Sequence, residues 1–295
     1  MRWLGRLIRR ILTAGFVLLL LLLAVAGYEY FTGKGVGFLG ENAVAVVYVE
    51  GEIDDPQDVV DTIDRVAESE GVRAIVIRID SPGGAVAPSQ EIYDAIVRAR
   101  ERKPVIASLG TIAASGGYYV AAACDRVVAN AGTLTGSIGV LMQVGNVEEL
   151  LKKIGVAGTI LKAGKFKDIG SPVRAMTAEE HDLLVGLLEN VHEQFIAAVA
   201  KGRRLGVDAV RAVADGRVLT GEQALEHGLV DRLGGLRDAL DLAASEAGIE
   251  GGARPIEFRE RSAPWWWEVL GRVLVPPQQH GTGLRFLYTG PPPPA

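Results

Sequence analysis

Beyond residue 42, the chain alternates between runs of apolar, β-branched residues and stretches in which apolar residues recur at helical spacing. The runs AVAVVYVEG, VRAIVIRID and KPVIASLG predict three buried strands, and residues 56–69 and 86–102 predict the helices between them. The stretch SPGG after the second run predicts a tight turn. Because strands alternate with helices, the pattern indicates βαβ units and an α/β fold.

The second half of the chain is more helical. The segment TAEEHDLLVGLLENVHEQFIAAVAKG carries apolar residues at helical spacing, which predicts a long amphipathic helix. Thr177 with Glu180, and Thr220 with Gln223, have the spacing of a capping box. Helices are therefore predicted to begin at Thr177 and at Thr220.

A different apolar pattern lies near the N-terminus. Residues 11–28 carry no charge and approach the roughly 20 residues that cross a bilayer, so they predict a single-pass signal anchor. Four arginines precede them, which by the positive-inside rule places the N-terminus in the cytoplasm. The body is then expected on the periplasmic side of the inner membrane. A cleaved secretory signal is the alternative, because residues 24–26 have the small-x-small form of a processing site.

These patterns divide the chain into four parts. Residues 1–30 are the basic segment and anchor, residues 31–42 a linker, residues 43–250 the catalytic domain and residues 251–295 a tail rich in Trp and Pro. The cluster Trp265–Trp267 suits either the membrane interface or an aromatic contact with the body or another chain.

Composition excludes several classes of function. The 31 Lys and Arg against 36 Asp and Glu give a formal charge of −5. Without the four N-terminal arginines, 27 stand against 36, so the body carries −9 and no nucleic-acid partner is expected. The single cysteine, Cys124, excludes an intrachain disulfide. No metal-ligand spacing occurs, and no metal or cofactor is predicted.

Ser115, in the stretch LGTIAASGGYYVAAAC, lies between small residues just before an apolar run that predicts a helix. A serine nucleophile needs a base to take its proton. All histidines lie downstream and none forms a convincing triad, so we interpret them as surface or capping residues: His181, His192, His227 and His280. The pattern also has Ala113 where the nucleophile elbow of the α/β-hydrolases has glycine.

Lysine is the other candidate base, provided that its pKa is lowered enough to keep it neutral. The stretch LKAGKFKDIGSP offers Lys162, Lys165 and Lys167. The stretch SPGG has a second interpretation besides a turn, because Gly83 and Gly84 would let backbone N–H groups approach an oxyanion.

Five motifs in order, namely DSPGG, AASGGYYVA, GSIGV, KFKDIGSP and DGRVLTGEQALEHGLVDRLGG, resemble the signal peptide peptidase A (SppA) family over residues 43–250. The resemblance implies a ClpP/crotonase-like fold with a repeated ββα core. It also implies a Ser/Lys dyad in which Ser115 is the nucleophile and Lys167 the general base. Ser137 would hydrogen-bond that lysine, and the N–H groups of Gly84 and Gly116 would form the oxyanion hole.

The resemblance implies a membrane-anchored serine endopeptidase that degrades remnant signal peptides. It further implies a homo-oligomer, with the dyad either within one chain or shared between subunits. Three alternatives remain at this point. They are a Ser/Lys membrane protease that cuts one membrane-protein partner, a non-catalytic crotonase-fold scaffold that binds peptides, and an acyl-CoA enzyme of the same fold.

Overall fold

The computed structural model describes residues 15–21, 42–250, 252 and 254–258, and the backbone of residues 285–287. The chain divides into two units, residues 1–41 and residues 42–295. In the first unit, residues 15–21 are helical and exposed. The rest of the predicted anchor and the Trp265–Trp267 cluster lie outside the described residues, so both stay predictions.

The second unit alternates strands with helices. Its strands are β1 (Ala43–Ile53), β2 (Val72–Ala85), β3 (Val105–Ala114), β4 (Arg126–Ala129), β5 (Leu134–Gly136), β6 (Val218–Thr220), β7 (Arg232–Leu233), β8 (Arg254–Phe258) and β9 (Arg285–Leu287). Its helices are α1 (Gln57–Glu68), α2 (Val86–Arg100), α3 (Gly116–Ala122), α4 (Glu148–Lys153), α5 (Ala178–Arg203), α6 (Val207–Arg211), α7 (Gly221–Glu226) and α8 (Leu236–Glu246). The three predicted strands and the helices between them are confirmed.

Both predicted capping boxes are also confirmed. The Thr177 hydroxyl accepts a hydrogen bond from the Glu180 N–H, and the Glu180 carboxylate accepts one from the Thr177 N–H at the start of α5. Thr220 and Gln223 make the same reciprocal pair at the start of α7. Each pair satisfies two backbone donors that the first helical turn would otherwise leave open.

The strands that the structure describes form one sheet, in which β6, β5, β3, β2, β1 and β8 are successive neighbours. β1, β2 and β3 are parallel, with Val47 opposite Ile77 and Ile77 opposite Ala107. β4 pairs with the first part of β3, and β5 pairs with its last part. The carboxyl ends of β1, β2, β3 and β5 therefore lie along one edge, where open α/β sheets bind ligands.

Helices cover both faces of the central strands. On one face, Ala239, Leu240 and Ala243 of α8 pack against a row that includes Val46 and Val76. The alternate residues of the same strands point to the other face, where α1, α2 and α3 contact β1 and β2. Burial on both faces explains why these strands read as continuous apolar runs in the sequence.

The turn predicted at SPGG is wrong, because these residues extend β2. Gly83 and Gly84 pair with Glu52 and Ile53 of β1, after a register shift in that pair of strands. The shift works like a bulge: Gly83 has a φ of +103°, which glycine adopts without strain. The pairing partner supplies hydrogen bonds that no local pattern shows, so a Pro-Gly-Gly stretch can remain in a strand.

Among the described helices, α5 is the one that is long and apolar enough to cross a membrane by length and composition. Its first turn carries Glu179 and Glu180, and its C-terminal half buries Phe195 and Val199 against the body. These features are those of an amphipathic helix packed on a core.

Candidate active site

Ser115 sits at the sharp turn from β3 into α3. Its backbone has φ 54° and ψ −116°, and its N–H donates to the Gly136 carbonyl of β5 at 2.8 Å. A positive φ in a residue with a Cβ costs of order 1–3 kcal/mol, which the surrounding structure must offset. The geometry resembles the strand-to-helix turn of a nucleophile elbow, although Ala113 stands where that elbow has glycine.

The helix behind Ser115 is buried along its whole length. The Tyr118 hydroxyl donates to the Leu229 carbonyl at 2.8 Å, and burial raises the pKa of this phenol well above its usual range. A Cβ on Gly117 would lie 2.8 Å from the Ser81 carbonyl oxygen, so α3 also approaches β2 very closely. Packing on both sides fixes the position of Ser115.

The structure brings Gly84 and Gly116 together, as the resemblance implies. A Cβ on Gly116 would lie 3.1 Å from the Gly84 nitrogen and 2.6 Å from Ser89 Oγ, which leaves no room for a side chain. A Cβ on Gly84 would lie 2.2 Å from the Ile53 carbonyl oxygen. Glycine at 116 therefore lets α3 approach the end of β2, and glycine at 84 lets β2 approach β1.

Ser137 follows β5 and reaches the same place. It has a φ of 52°, and its N–H donates to the Arg217 carbonyl at 2.8 Å. Ser115 and Ser137 line one cleft of about 540 Å³, whose apolar wall consists of Val140, Leu141, Val185, Leu188 and Val218. The cleft thus combines two hydroxyls with an apolar wall, a composition common in binding sites.

The interpretation of His192 as a surface or capping residue is wrong, because His192 lines the Ser115 cleft together with Glu189 and Asp215. Its Nε2 is buried and has no hydrogen-bond partner among the described residues. A sequence signal existed: His192 stands four residues after Leu188 and three before Phe195, on the apolar stripe of α5. His181 is exposed beside Asp182, and His227 ends α7.

Arg217 sets the charge state at one side of this cleft. Its guanidinium donates to both Asp215 oxygens, with an Nε to Oδ1 distance of 2.7 Å, and lowers the pKa of Asp215 to about 2. Asp215 is therefore ionised and paired at neutral pH. Cys124 takes no part in this chemistry, because its thiol is fully buried and burial raises its pKa.

Lys167 does not line the Ser115 cleft. It lies in the connection between Ser137 and α5, residues 140–176, which we call the lysine segment. Every residue of this segment is described and none is buried. The structure thus brings together Ser115, Ser137, Gly84 and Gly116, and leaves Lys167 exposed and outside the cleft of its own chain.

The three lysines of this segment differ in their partners. Lys162 pairs with Asp168, and Lys165 pairs with Glu179. The Lys167 ammonium makes no ion pair or hydrogen bond with any residue that the structure describes. Of the three lysines, Lys167 is therefore the one whose ammonium no described carboxylate occupies. No group of His, Cys, Asp or Glu in the described part of the chain could hold a metal ion.

Two family models match the chain. The model of peptidase family S49 matches residues 98–250, and the model of Clp protease matches residues 41–137. The fold, the cleft and these matches define a serine protease with a ClpP-like α/β fold. The chain belongs to peptidase family S49, as a protease of the SppA type.

Individual relatives agree. A Synechocystis protein named "Putative protease" is 47% identical over 63% of this chain and 67% of its own length. "Putative signal peptide peptidase SppA" of Enterococcus faecium is 36% identical over 74% of this chain and 64% of its own length. "Serine protease SPPA, chloroplastic" of Arabidopsis thaliana is 39% identical over 65% of this chain, but only 29% of its own length is covered.

Proposed function

We propose that the protein is a membrane-anchored Ser/Lys endopeptidase that degrades remnant signal peptides. The observation that carries the proposal is the strained turn that places Ser115 in the lining of a cleft with an apolar wall, in a chain of family S49. The unpaired Lys167 supplies the base that the resemblance implies. Residues 11–28 anchor the chain, with the catalytic body on the periplasmic side.

The dyad is assembled from two copies of the chain. Lys167 lies outside the cleft of its own chain, and the lysine segment exposes many apolar side chains: Val144, Val147, Leu150, Ile154, Val156, Ile160, Leu161 and Val173. Leu161 is 92% exposed. Apolar surface of this extent on a soluble body favours an interface. A second copy that covers it brings its Lys167 to the Ser115 cleft, within a closed homo-oligomer.

The chemistry then follows from the positions. Neutral Lys167 accepts the Ser115 proton as Oγ attacks the peptide carbonyl, and base catalysis of this kind contributes roughly 10²- to 10⁴-fold. The Gly84 and Gly116 N–H groups stabilise the oxyanion, each by about 2.7–4 kcal/mol. The lysine returns the proton to the leaving amine, and water then releases the acyl group from Ser115.

The substrate class follows from the cleft and the anchor. An apolar wall beside the nucleophile suits the apolar segment of a signal peptide, and a protease fixed to the membrane meets such peptides where they are left. The name of the Enterococcus relative supports the same substrate. A protease that cuts one membrane-protein partner is the alternative. Substrate profiling separates the two, because a degradative enzyme accepts many apolar sequences.

His192 is the rival base, because it lines the cleft of its own chain. Four single variants decide between the bases: Ser115→Ala, Lys167→Ala, Lys165→Ala and His192→Ala, each assayed on a fluorogenic peptide with apolar side chains. We expect Ser115→Ala and Lys167→Ala to abolish turnover and Lys165→Ala to keep it. If His192→Ala loses turnover while Lys167→Ala keeps full turnover, the general base is His192 and not Lys167.

A further inference from the structure

Arg174 ties the lysine segment to the start of α5 with every donor it has. Its Nε donates to Asp168 Oδ2 at 2.8 Å. Its Nη1 donates to Glu180 Oε2 at 2.8 Å and to the Ala175 carbonyl at 3.0 Å. Its Nη2 donates to the Asp168 carbonyl at 3.2 Å and to Glu180 Oε1. A guanidinium has five N–H donors, so all of them are used.

The two carboxylates that receive these bonds are well shielded. The side chain of Glu180 is 4% exposed, and that of Asp168 is 11% exposed. Arg174 lowers the pKa of Glu180 to about 2 and holds that of Asp168 well below its usual range, with help from Lys162. Both stay ionised at neutral pH. Glu180 also closes the capping box, so the contacts of Arg174 end on the capped first turn of α5.

The bonds fix the chain on either side of Lys167. Before it, the Lys165 carbonyl accepts a hydrogen bond from Lys162 Nζ at 2.8 Å. After it, the Asp168 carbonyl accepts from Arg174 and from the Ser171 N–H at 3.0 Å. The Lys167 N–H donates to the Gly164 carbonyl at 3.3 Å. The backbone of Lys167 is thus held in place while its ammonium stays without a partner among the described residues.

The same bridge sets the local charge. Asp168 is the next residue after Lys167, and its carboxylate is paired with Arg174 and Lys162 rather than with Lys167. The guanidinium of Arg174 compensates it. Around Lys167, the charged groups of the lysine segment are Glu148, Glu149, Lys152 and Lys153 on α4 and Lys162, Lys165, Asp168 and Arg174 after it. The start of α5 adds Glu179, Glu180, His181 and Asp182.

We propose that Arg174 is a positioning residue for the base: it bridges Asp168 to Glu180, and thereby aims Lys167 and keeps its ammonium free of a carboxylate. The inference rests on the proposed role of Lys167. The two variants change the charge of this cluster in opposite directions. Arg174→Gln removes a positive charge and leaves Asp168 less compensated. Glu180→Gln keeps the capping box, which accepts Gln at this position, and removes a negative charge.

The test is the pH profile of kcat/KM for the full-length wild type, Arg174→Gln, Arg174→Lys and Glu180→Gln on the fluorogenic apolar peptide. Activity needs the neutral lysine, so the acidic limb follows its pKa. We expect Arg174→Gln to lower kcat about 10²-fold with little change in KM, as for a misplaced catalytic group. The acidic limb of Arg174→Gln should move to higher pH, and the acidic limb of Glu180→Gln should move to lower pH. Arg174→Lys should lie between wild type and Arg174→Gln in both kcat and the position of the limb.

Arg211→Gln is the matched control, because Arg211 makes an exposed bidentate pair with Glu193 of α5 outside the lysine segment. It should keep the wild-type profile. If Lys167→Ala is inactive while Arg174→Gln and Glu180→Gln keep the wild-type kcat and acidic limb, this inference alone is overturned. If Lys167→Ala is active, the proposed base fails and the inference fails with it. If Arg174→Gln unfolds at a much lower temperature than wild type, the other two variants decide the question. The inference then requires the acidic limb of Arg174→Lys to move to higher pH and that of Glu180→Gln to move to lower pH.

Discussion

The proposed nucleophile, Ser115, and the proposed base, Lys167, lie in opposite kinds of structure. Ser115 is 2% exposed, at the end of a central strand and before a helix of which every residue is buried. Lys167 is exposed, in a segment of 37 residues (140–176) without one buried position. The first region is positioned by its own chain. The second is held by local hydrogen bonds and exposes the apolar side chains that a second copy is proposed to cover.

The two regions should differ most in how well they accept one added methyl group, introduced by a Gly→Ala substitution in each. This prediction has the largest expected effect on stability. Gly84→Ala would place its Cβ 2.2 Å from the Ile53 carbonyl oxygen, whereas a Cβ on Gly158 of the lysine segment meets nothing within 4 Å. We expect Gly84→Ala to lose at least about 1–3 kcal/mol of unfolding free energy, as overpacked sites do. Gly158→Ala should stay within about 0.5 kcal/mol of wild type.

Thermal or denaturant unfolding of the two variants measures this difference. Equal stabilities would mean that β1 and β2 accommodate the added methyl group as easily as an exposed loop does. The contrast between a packed nucleophile region and a lightly packed lysine segment would then be wrong.

A smaller effect is expected from the exposed apolar side chains. Leu161→Asp should leave unfolding of the body nearly unchanged, because Leu161 is 92% exposed, but should shift the native mass of the protein toward the monomer and lower turnover. Val207→Asp is the control, since Val207 is 46% exposed on α6 outside the lysine segment. Light scattering and the peptide assay measure both. An unchanged mass and turnover in Leu161→Asp would remove this face from the interface.

The sequence predicts the nucleophile region well for a physical reason. Buried parallel strands need continuous apolar runs, so β1, β2 and β3 are visible in the pattern of residues, and the capping boxes of Thr177 and Thr220 are local. The extension of β2 through Gly83 and Gly84 escaped prediction because its hydrogen bonds come from β1, far away in sequence. His192 escaped, although it stands on the apolar stripe of α5, because the cleft that it lines is formed by residues from distant parts of the chain.

The lysine segment is harder to predict from sequence. Its backbone is fixed by contacts between side chains, such as those of Arg174 with Asp168 and Glu180, rather than by an apolar period. Resemblance alone selected Lys167 among three lysines. The structure adds a physical difference, because Lys162 and Lys165 are paired with carboxylates and Lys167 is not.

The central claim is that Ser115 of one copy works with Lys167 of another, and mixing two inactive variants tests it directly. Ser115→Ala and Lys167→Ala are each assayed alone, then mixed, dissociated and reassembled together. Random assembly should restore turnover at about a quarter of the sites, where an intact serine meets an intact lysine from a neighbour. A mixture as inactive as its two components, although it forms oligomers of wild-type mass, would contradict a dyad shared between subunits.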